Sequence, residues 1–390
     1  MKKLIRNVRI VDGGLVAPGS ILIRDGIVES ILAPDAAVPE AETVEGNGLY
    51  ASAGFIDMHT HGAGGADFMD GTAEAYRTAC RMHLIHGTTT IFPTTLAAAQ
   101  EEIVRSVEVF KEEKEDLNRD QFVPGLHLEG PYFAMNQKGA QDPRYVRDPD
   151  PKEYKELVRI ADGAILRWSV APERSGAMEM GDYLSANGIL PSMGHTDATY
   201  DDVKEAIRHG YTHITHLYSC TSSIVRKGGF RILGVTESAY CFDELTVELI
   251  ADGCHLPPEL IAMIVKCKGT DRIALVTDSL RPAGLDVTET KIGSEEDGRS
   301  VIIEDGVAKL PDRSAFAGSI ATADRLVRTV WKKAGVPLAD AVRMMSENPA
   351  KIMKIDGRKG RLLPGKDADI VLFDEDVKVD SVYYMGRKVN

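Results

Sequence analysis

The chain has 390 residues, 43% hydrophobic and 27% charged, a composition suited to a folded globular protein with room for one large domain and a smaller one. A formal net charge of −13 excludes the broad basic footprint of a nucleic-acid binder and a basic membrane-facing surface, although a local cationic pocket for an anionic small molecule stays open. Five cysteines, at positions 80, 220, 241, 254 and 267, form no CxxC pair, which indicates neither a disulfide framework nor a zinc ribbon.

The opening "MKKLIRNVRIVDGG" breaks into polar residues before any signal-length apolar core, and no stretch approaches membrane-spanning length. The expectation is a cytoplasmic protein with neither nucleic acid nor membrane as partner. Residues 3 to 50 alternate short β-type runs, "LIRNVRIV", "GSILIRD" and "GIVESILA", with Asp-Gly turn signals at 12–13 and 25–26. Residues 360 to 390 have the same character, so both termini are expected to build one small β-sandwich, 1–51 plus 358–390, beside a main domain spanning 52–357.

Within the main domain eight apolar strand-like runs recur: "GFIDMHTH", "GTTTIFPTT", "FVPGLHLEG", "AILRWSVAPE", "GILPSMGH", "YTHITHLYS", "TVELIADG" and "RIALVTDS". Helical patterns such as "AEAYRTACRMHLIHG", "EEIVRSVEVFKEEKEDL", "YDDVKEAIRHG" and "PELIAMIVKCK" separate them. Eight strand–helix units over this length predict an α/β fold of the (β/α)8, TIM-like barrel type, with chemistry at the C-terminal ends of the strands. A doubly wound sheet is the alternative.

The strand ends carry a pattern. The first run ends in His59 and His61, the third in Glu129, the fifth in His195, the sixth in His216 and the eighth in Asp278. Side chains at i and i+2 of a strand share a face, so His59 and His61 can reach one ion together. Imidazole and carboxylate suit zinc, iron or manganese. Six candidate ligands exceed what one ion takes from protein, which points to a pair of divalent ions sharing Glu129 and to Asp278 as the group that orients and deprotonates a water.

Each feature alone has an ordinary reading. A His-x-His pair arises by chance, and a carboxylate after a strand commonly caps the next helix. Five strands placing a ligand-type residue at the same end is harder to reach by accident. The remaining histidines read as structural: His83 and His86 in a helix, His209 closing another, His127 and His213 short of their strand ends. His255, in "IADGCHLPPE", falls in a loop on the active face and is a candidate substrate contact.

"GFIDMHTHG", the late "TDS" and the ending "NPAKIMKI…KGRLLPGKDADIVLFD" resemble the amidohydrolase superfamily. Within it, "GLHLEGPYF", "GHTDAT", "THLY", "IADGCH", "LVTDS" and "FAGS" resemble the N-acetylglucosamine-6-phosphate deacetylase family, over nearly the whole chain. The resemblance implies a (β/α)8 barrel with a split β-domain, one or two transition-metal ions, and a homodimer in which a neighbour's loop can complete the substrate pocket. Glu129, His195 and His216 match the family's main metal ligands, His59 and His61 a pair that some members have, and Asp278 the acid/base. The implied reaction is attack of metal-activated water on the acetamide carbonyl of an N-acetyl amino sugar, with Asp278 moving the proton to the departing amine.

Three positions depart from the family pattern. Where members carry a histidine that polarises the substrate carbonyl, "QKGAQDP" has Gln141, a neutral donor. "THLYSCTSS" replaces "THLYNAM", putting Ser219 and Cys220 at substrate-contact positions, and the arginine-containing phosphate loop reads "IVRKGGFR". Arg226, Lys227 or Arg231 could hold a phosphate there, or form a solvated charge run. An amidohydrolase of another specificity, such as an N-acyl amino acid deacylase or a cyclic-amide hydrolase, is the rival reading. Cyclic-amide members usually carry a carbamylated lysine on the fourth strand, where this chain has none. A non-catalytic barrel kept for binding is a third reading, opposed by retention of the whole ligand set.

Overall fold

A computed structural model describes residues 2–390. Eight parallel strands form the main sheet: Phe55–Thr60, Thr88–Thr95, Leu126–Glu129, Ile165–Val170, Leu190–Met193, His213–Ile214, Thr246–Ile250 and Ile273–Val276. Each pairs with the next in chain order. Helices alternate with the strands on the outside, as right-handed crossovers between parallel neighbours require. The first strand is buried along its whole length, and so is the last, which is why these segments read as continuous apolar runs rather than alternating ones. This is the (β/α)8 barrel that the spacing predicts.

The seam between the last strand and the first is drawn together at the C-terminal rim. Asp278 N–H donates to the His59 carbonyl at 2.9 Å, and His61 N–H to that of Ser279 at 2.9 Å. Deeper in the seam, the buried Asp57 carboxylate accepts from the Thr277 hydroxyl at 2.5 Å and its N–H at 3.2 Å. Closure therefore lies beside the two histidines of the first strand and the acid of the last.

The helices start where local chemistry directs. Thr72 caps Ala73–Ile85 by accepting from Ala75 N–H, and Thr199 and Asp202 form a reciprocal capping box at Tyr200–Arg208. Among the described residues no helix is long and apolar enough to cross a membrane.

Strands from both termini meet in one mixed eight-stranded sheet, in which Ile370–Phe373 pairs antiparallel with Tyr50–Ala53, and Tyr50–Ala53 runs parallel to Lys2–Asp12. Ile5, Ile21, Val28, Ala51, Ile370 and Leu372 form its core. Two further elements were not predicted. A hairpin, Val225–Lys227 and Phe230–Ile232, projects after the sixth barrel strand. A four-stranded antiparallel sheet, running from Glu289–Ile292 to Phe316–Gly318, follows the eighth.

Candidate active site

Residues from five barrel strands meet at the C-terminal mouth. His59 and His61 leave the first strand on one face. His59 Nε2 lies 3.4 Å from Glu129 Oε1 and 3.4 Å from Asp278 Oδ1, and His61 Nε2 lies 3.5 Å from Glu129 Oε2 and 3.2 Å from Asp278 Oδ1. His195 and His216 approach Glu129 Oε1 at 3.2 and 3.0 Å. Ligand atoms of His59, His61 and Glu129 lie within 4.8 Å of one another, as do those of Glu129, His195 and His216, so two clusters share one carboxylate.

Local backbone geometry aims these groups. His195, His216 and Asp278 all sit at positive φ, 48°, 28° and 45°, a region that non-glycine residues adopt at a cost on the order of 1 kcal/mol or more. Each lies two residues beyond the end of its strand, where the turn directs the side chain over the barrel mouth. Trp168, fully buried on the fourth strand, donates its indole N–H to the Gly130 carbonyl at 2.7 Å and fixes the chain immediately after Glu129.

All four imidazoles are turned the same way. The Nδ1 atoms of His61, His195 and His216 lie 3.3, 2.8 and 3.0 Å from the carbonyl oxygens of Thr94, Gln137 and Ser219. His59 Nδ1 lies 3.2 Å from Glu248 Oε2. An acceptor at Nδ1 puts the proton there and leaves the Nε2 lone pair facing the other lone pairs of the site. The Nε2 atom of His59 is buried with no hydrogen-bond partner. Lone pairs converging on two anionic side chains suit cations, and the clusters fit a binuclear centre.

Electrostatics agree. Burial disfavours the His59 imidazolium, yet Asp278, Glu248 and Glu129 outweigh it and lift the pKa to about 10. Burial likewise opposes ionisation of Glu129, but His195 and His59 hold it well below the carboxylate range. Such a pocket gathers positive charge, and a bound cation would displace the protons.

Above these residues lies a cavity of about 260 Å³. Gln141, Ser219, Cys220 and His255 line it, together with Phe316 from the sheet after the eighth strand. Gln141 Oε1 accepts from Ala97 N–H at 2.9 Å, so its amide nitrogen faces the site and donates to Glu129 Oε2 at 2.5 Å. His255 Nδ1 pairs with the buried Asp252 at 2.9 Å, and its ring meets Phe316 edge-on at 5.0 Å. Among the described residues, no lysine or arginine lines the cavity. Arg226, Lys227 and Arg231 lie on the projecting hairpin, exposed and outside the lining of their own chain's pocket.

His127 and His213 lie within the barrel, with Ser169 Oγ at 2.7 Å and Thr246 Oγ1 at 2.7 Å as partners. His83, fully buried, contacts the hydroxyls of Thr60 and Ser279 at 2.9 and 3.2 Å and so braces the seam. Two buried charges beside the site escaped the pattern: Glu248 on the seventh strand and Arg167 on the fourth, both fully buried and paired with each other. A charged residue inside each of the runs "TVELI" and "ILRWSV" was the available signal, since buried charges need partners.

Fold and site together define a (β/α)8 hydrolase with a histidine–carboxylate centre. The amidohydrolase family model matches residues 50–389. The chain is 31% identical to N-acetylglucosamine-6-phosphate deacetylase of Lysinibacillus sphaericus, over 98% of this chain and 97% of that one. It is 28% identical to N-acetylgalactosamine-6-phosphate deacetylase of Escherichia coli O157:H7, over 97% and 96%. Among solved structures, N-acetyl-D-glucosamine-6-phosphate deacetylase of Mycobacterium smegmatis, a mutant in complex with N-acetyl-D-glucosamine-6-phosphate, superposes with a TM-score of 0.90 at 28% identity over 99% of both chains. The Pasteurella multocida enzyme gives 0.92 at 26% over the whole of both. The chain belongs to the amidohydrolase family, in its N-acetylglucosamine-6-phosphate deacetylase branch, and is a hydrolase of that kind.

Proposed function

We propose that this enzyme removes the acetyl group from N-acetylglucosamine 6-phosphate or a close N-acetyl amino sugar phosphate. The observation that carries this reading is the set of four Nε2 atoms converging on Glu129 beside Asp278, under a cavity that Gln141 faces with a donor. His195, His216 and Glu129 would hold one divalent ion, and His59, His61 and Glu129 a second. Bound ions of this kind supply Lewis acidity and lower the pKa of a water. Gln141, with one amide hydrogen on Glu129, has a second to donate to the acetyl carbonyl, where negative charge develops. Asp278, held well within reach of the same centre, accepts the proton of the attacking water and returns it to the sugar nitrogen as the C–N bond breaks.

His255, Ser219 and Cys220 would contact the sugar. A phosphate finds no cationic side chain in the lining, so Arg226 or Lys227 would serve it from a second copy of the chain, as expected for a homodimer with shared pockets. The galacto epimer is a second reading, favoured by the N-acetylgalactosamine-6-phosphate deacetylase relatives at 28% and 30% identity.

The test is acetate release from N-acetylglucosamine 6-phosphate, its galacto and manno isomers, the unphosphorylated sugars and several N-acetyl amino acids. One hexosamine 6-phosphate is expected to turn over fastest. Equal rates with and without phosphate would remove the phosphate assignment, and release from amino acids alone would remove the sugar.

A further inference from the structure

Three of the four imidazoles at the site rest their Nδ1 on a neutral backbone carbonyl; His59 alone rests it on a carboxylate. That carboxylate, Glu248, is fully buried and supported on every side. Its Oε1 accepts from the Arg167 guanidinium, and its Oε2 accepts from His59 Nδ1–H at 3.2 Å and from the backbone N–H of His216 at 3.2 Å. Arg167 is anchored in turn, donating to Ser192 Oγ at 3.0 Å, Thr215 Oγ1 at 3.0 Å and the Met58 carbonyl at 3.2 Å. His213 Nε2 lies 3.6 Å from Glu248 Oε1.

We propose that Glu248 is a positioning residue that builds the His59–His61 half of the metal centre: it fixes His59 as the Nδ1–H tautomer and so decides whether a second ion binds. Arg167 is the counterion that keeps Glu248 a buried acceptor. The inference rests on the metal-centre reading above and assigns a role to residues outside the ligand set.

The chemistry gives a directional consequence. A hydrogen-bonded carboxylate behind a ligating imidazole raises its basicity and orients it, and losing such a partner typically weakens metal binding about 10- to 100-fold. Glu248→Gln keeps the shape but changes the polarity of one edge. Arg167 offers only N–H groups, so the glutamine oxygen turns toward it and the glutamine NH₂ toward His59 Nδ1, where the backbone N–H of His216 also loses its acceptor. His59 Nδ1 must then accept, which moves its proton to Nε2, where it faces the site and opposes a cation. The other half keeps its own Nδ1 partners, Gln137 and Ser219 carbonyls.

The experiment measures zinc stoichiometry and affinity by elemental analysis and chelator competition, on wild type and Glu248→Gln. Wild type is expected to hold two ions. The variant is expected to keep one at near wild-type affinity and to bind the second at least 10-fold more weakly. Two ions held equally by both proteins would overturn the proposal, and so would parallel loss of both ions from the variant, which would mark a general structural role. Wild type that binds no ion would instead sink the metal-centre reading itself. Should the variant not fold, histidine ¹⁵N spectra of the zinc-loaded wild type decide: Nδ1-protonated, Nε2-ligated His59 is expected, and an Nε2-protonated His59 overturns the assignment.

Discussion

Gln141 and Glu129, twelve positions apart in the chain, share a hydrogen bond of 2.5 Å in which the amide donates and the carboxylate accepts. Because Ala97 N–H occupies Oε1, the amide cannot turn its oxygen to the site. Gln141 is thus a fixed, uncharged donor at the position where related enzymes are expected to carry histidine. Gln141→Ala, compared at equal metal loading, should lower kcat about 100-fold, the scale for losing one oxyanion donor. Steady-state acetate release with elemental analysis checks it, and an unaltered kcat would exclude Gln141 from carbonyl polarisation.

Asp278 Oδ1 lies 3.4 and 3.2 Å from the Nε2 atoms of His59 and His61, whereas those of His195 and His216 meet Glu129 Oε1 at 3.2 and 3.0 Å. Asp278→Asn should therefore keep the ion held by Glu129, His195 and His216 while kcat falls about 10²- to 10⁴-fold, as expected for loss of a general acid/base. Rapid turnover by the variant would remove Asp278 from proton transfer.

Much of this arrangement is legible in sequence, for a physical reason. A parallel barrel buries its strands on both sides, so eight apolar runs stand out, and polar residues at their ends stand out against them. The His-x-His spacing also follows from strand alternation alone. What stayed hidden depends on partners rather than pattern. Glu248 and Arg167 look like isolated charges until the barrel brings the fourth and seventh strands to the same interior. The backbone carbonyls that orient His61, His195 and His216 leave no trace in residue identity. The sixth strand is only His213–Ile214, and the sheet spanning 289–318 is made of short strands whose alternation is weak.

His83 gives a pH dependence of stability. Burial depresses its pKa from 6.5 to about 4, so the native state prefers neutral imidazole. Its contribution is intact above pH 6.5. Between there and about 4 the unfolded chain binds a proton that the native one refuses, and stability falls as pH falls, by about 3 kcal/mol at the acid end. His83→Gln keeps an uncharged hydrogen-bonding group and should lose less stability than wild type on going from pH 7 to pH 4. Denaturant unfolding at both pH values checks this; an equal or larger loss in the variant would contradict it.

Arg226 and Lys227 stand exposed on a hairpin outside their own pocket, among exposed Ile224, Val225 and Phe230. Their joint replacement by alanine should raise KM for the 6-phosphate on the order of 10-fold or more, the scale for losing a hydrogen bond to a charged group, and leave the unphosphorylated sugar unaffected. Kinetics on the two substrates, with molar mass in solution measured alongside, check it. An unchanged KM for the phosphorylated sugar would place phosphate recognition elsewhere.

In the proposed reaction, histidines and acids from separate strands hold the cations on which amide hydrolysis depends. The most direct measurement strips the protein with chelator and follows acetate release from N-acetylglucosamine 6-phosphate while zinc, manganese or iron(II) is titrated back. Activity should be absent at zero equivalents and rise to a plateau by two. Full turnover by metal-free protein would exclude a metal-dependent reaction.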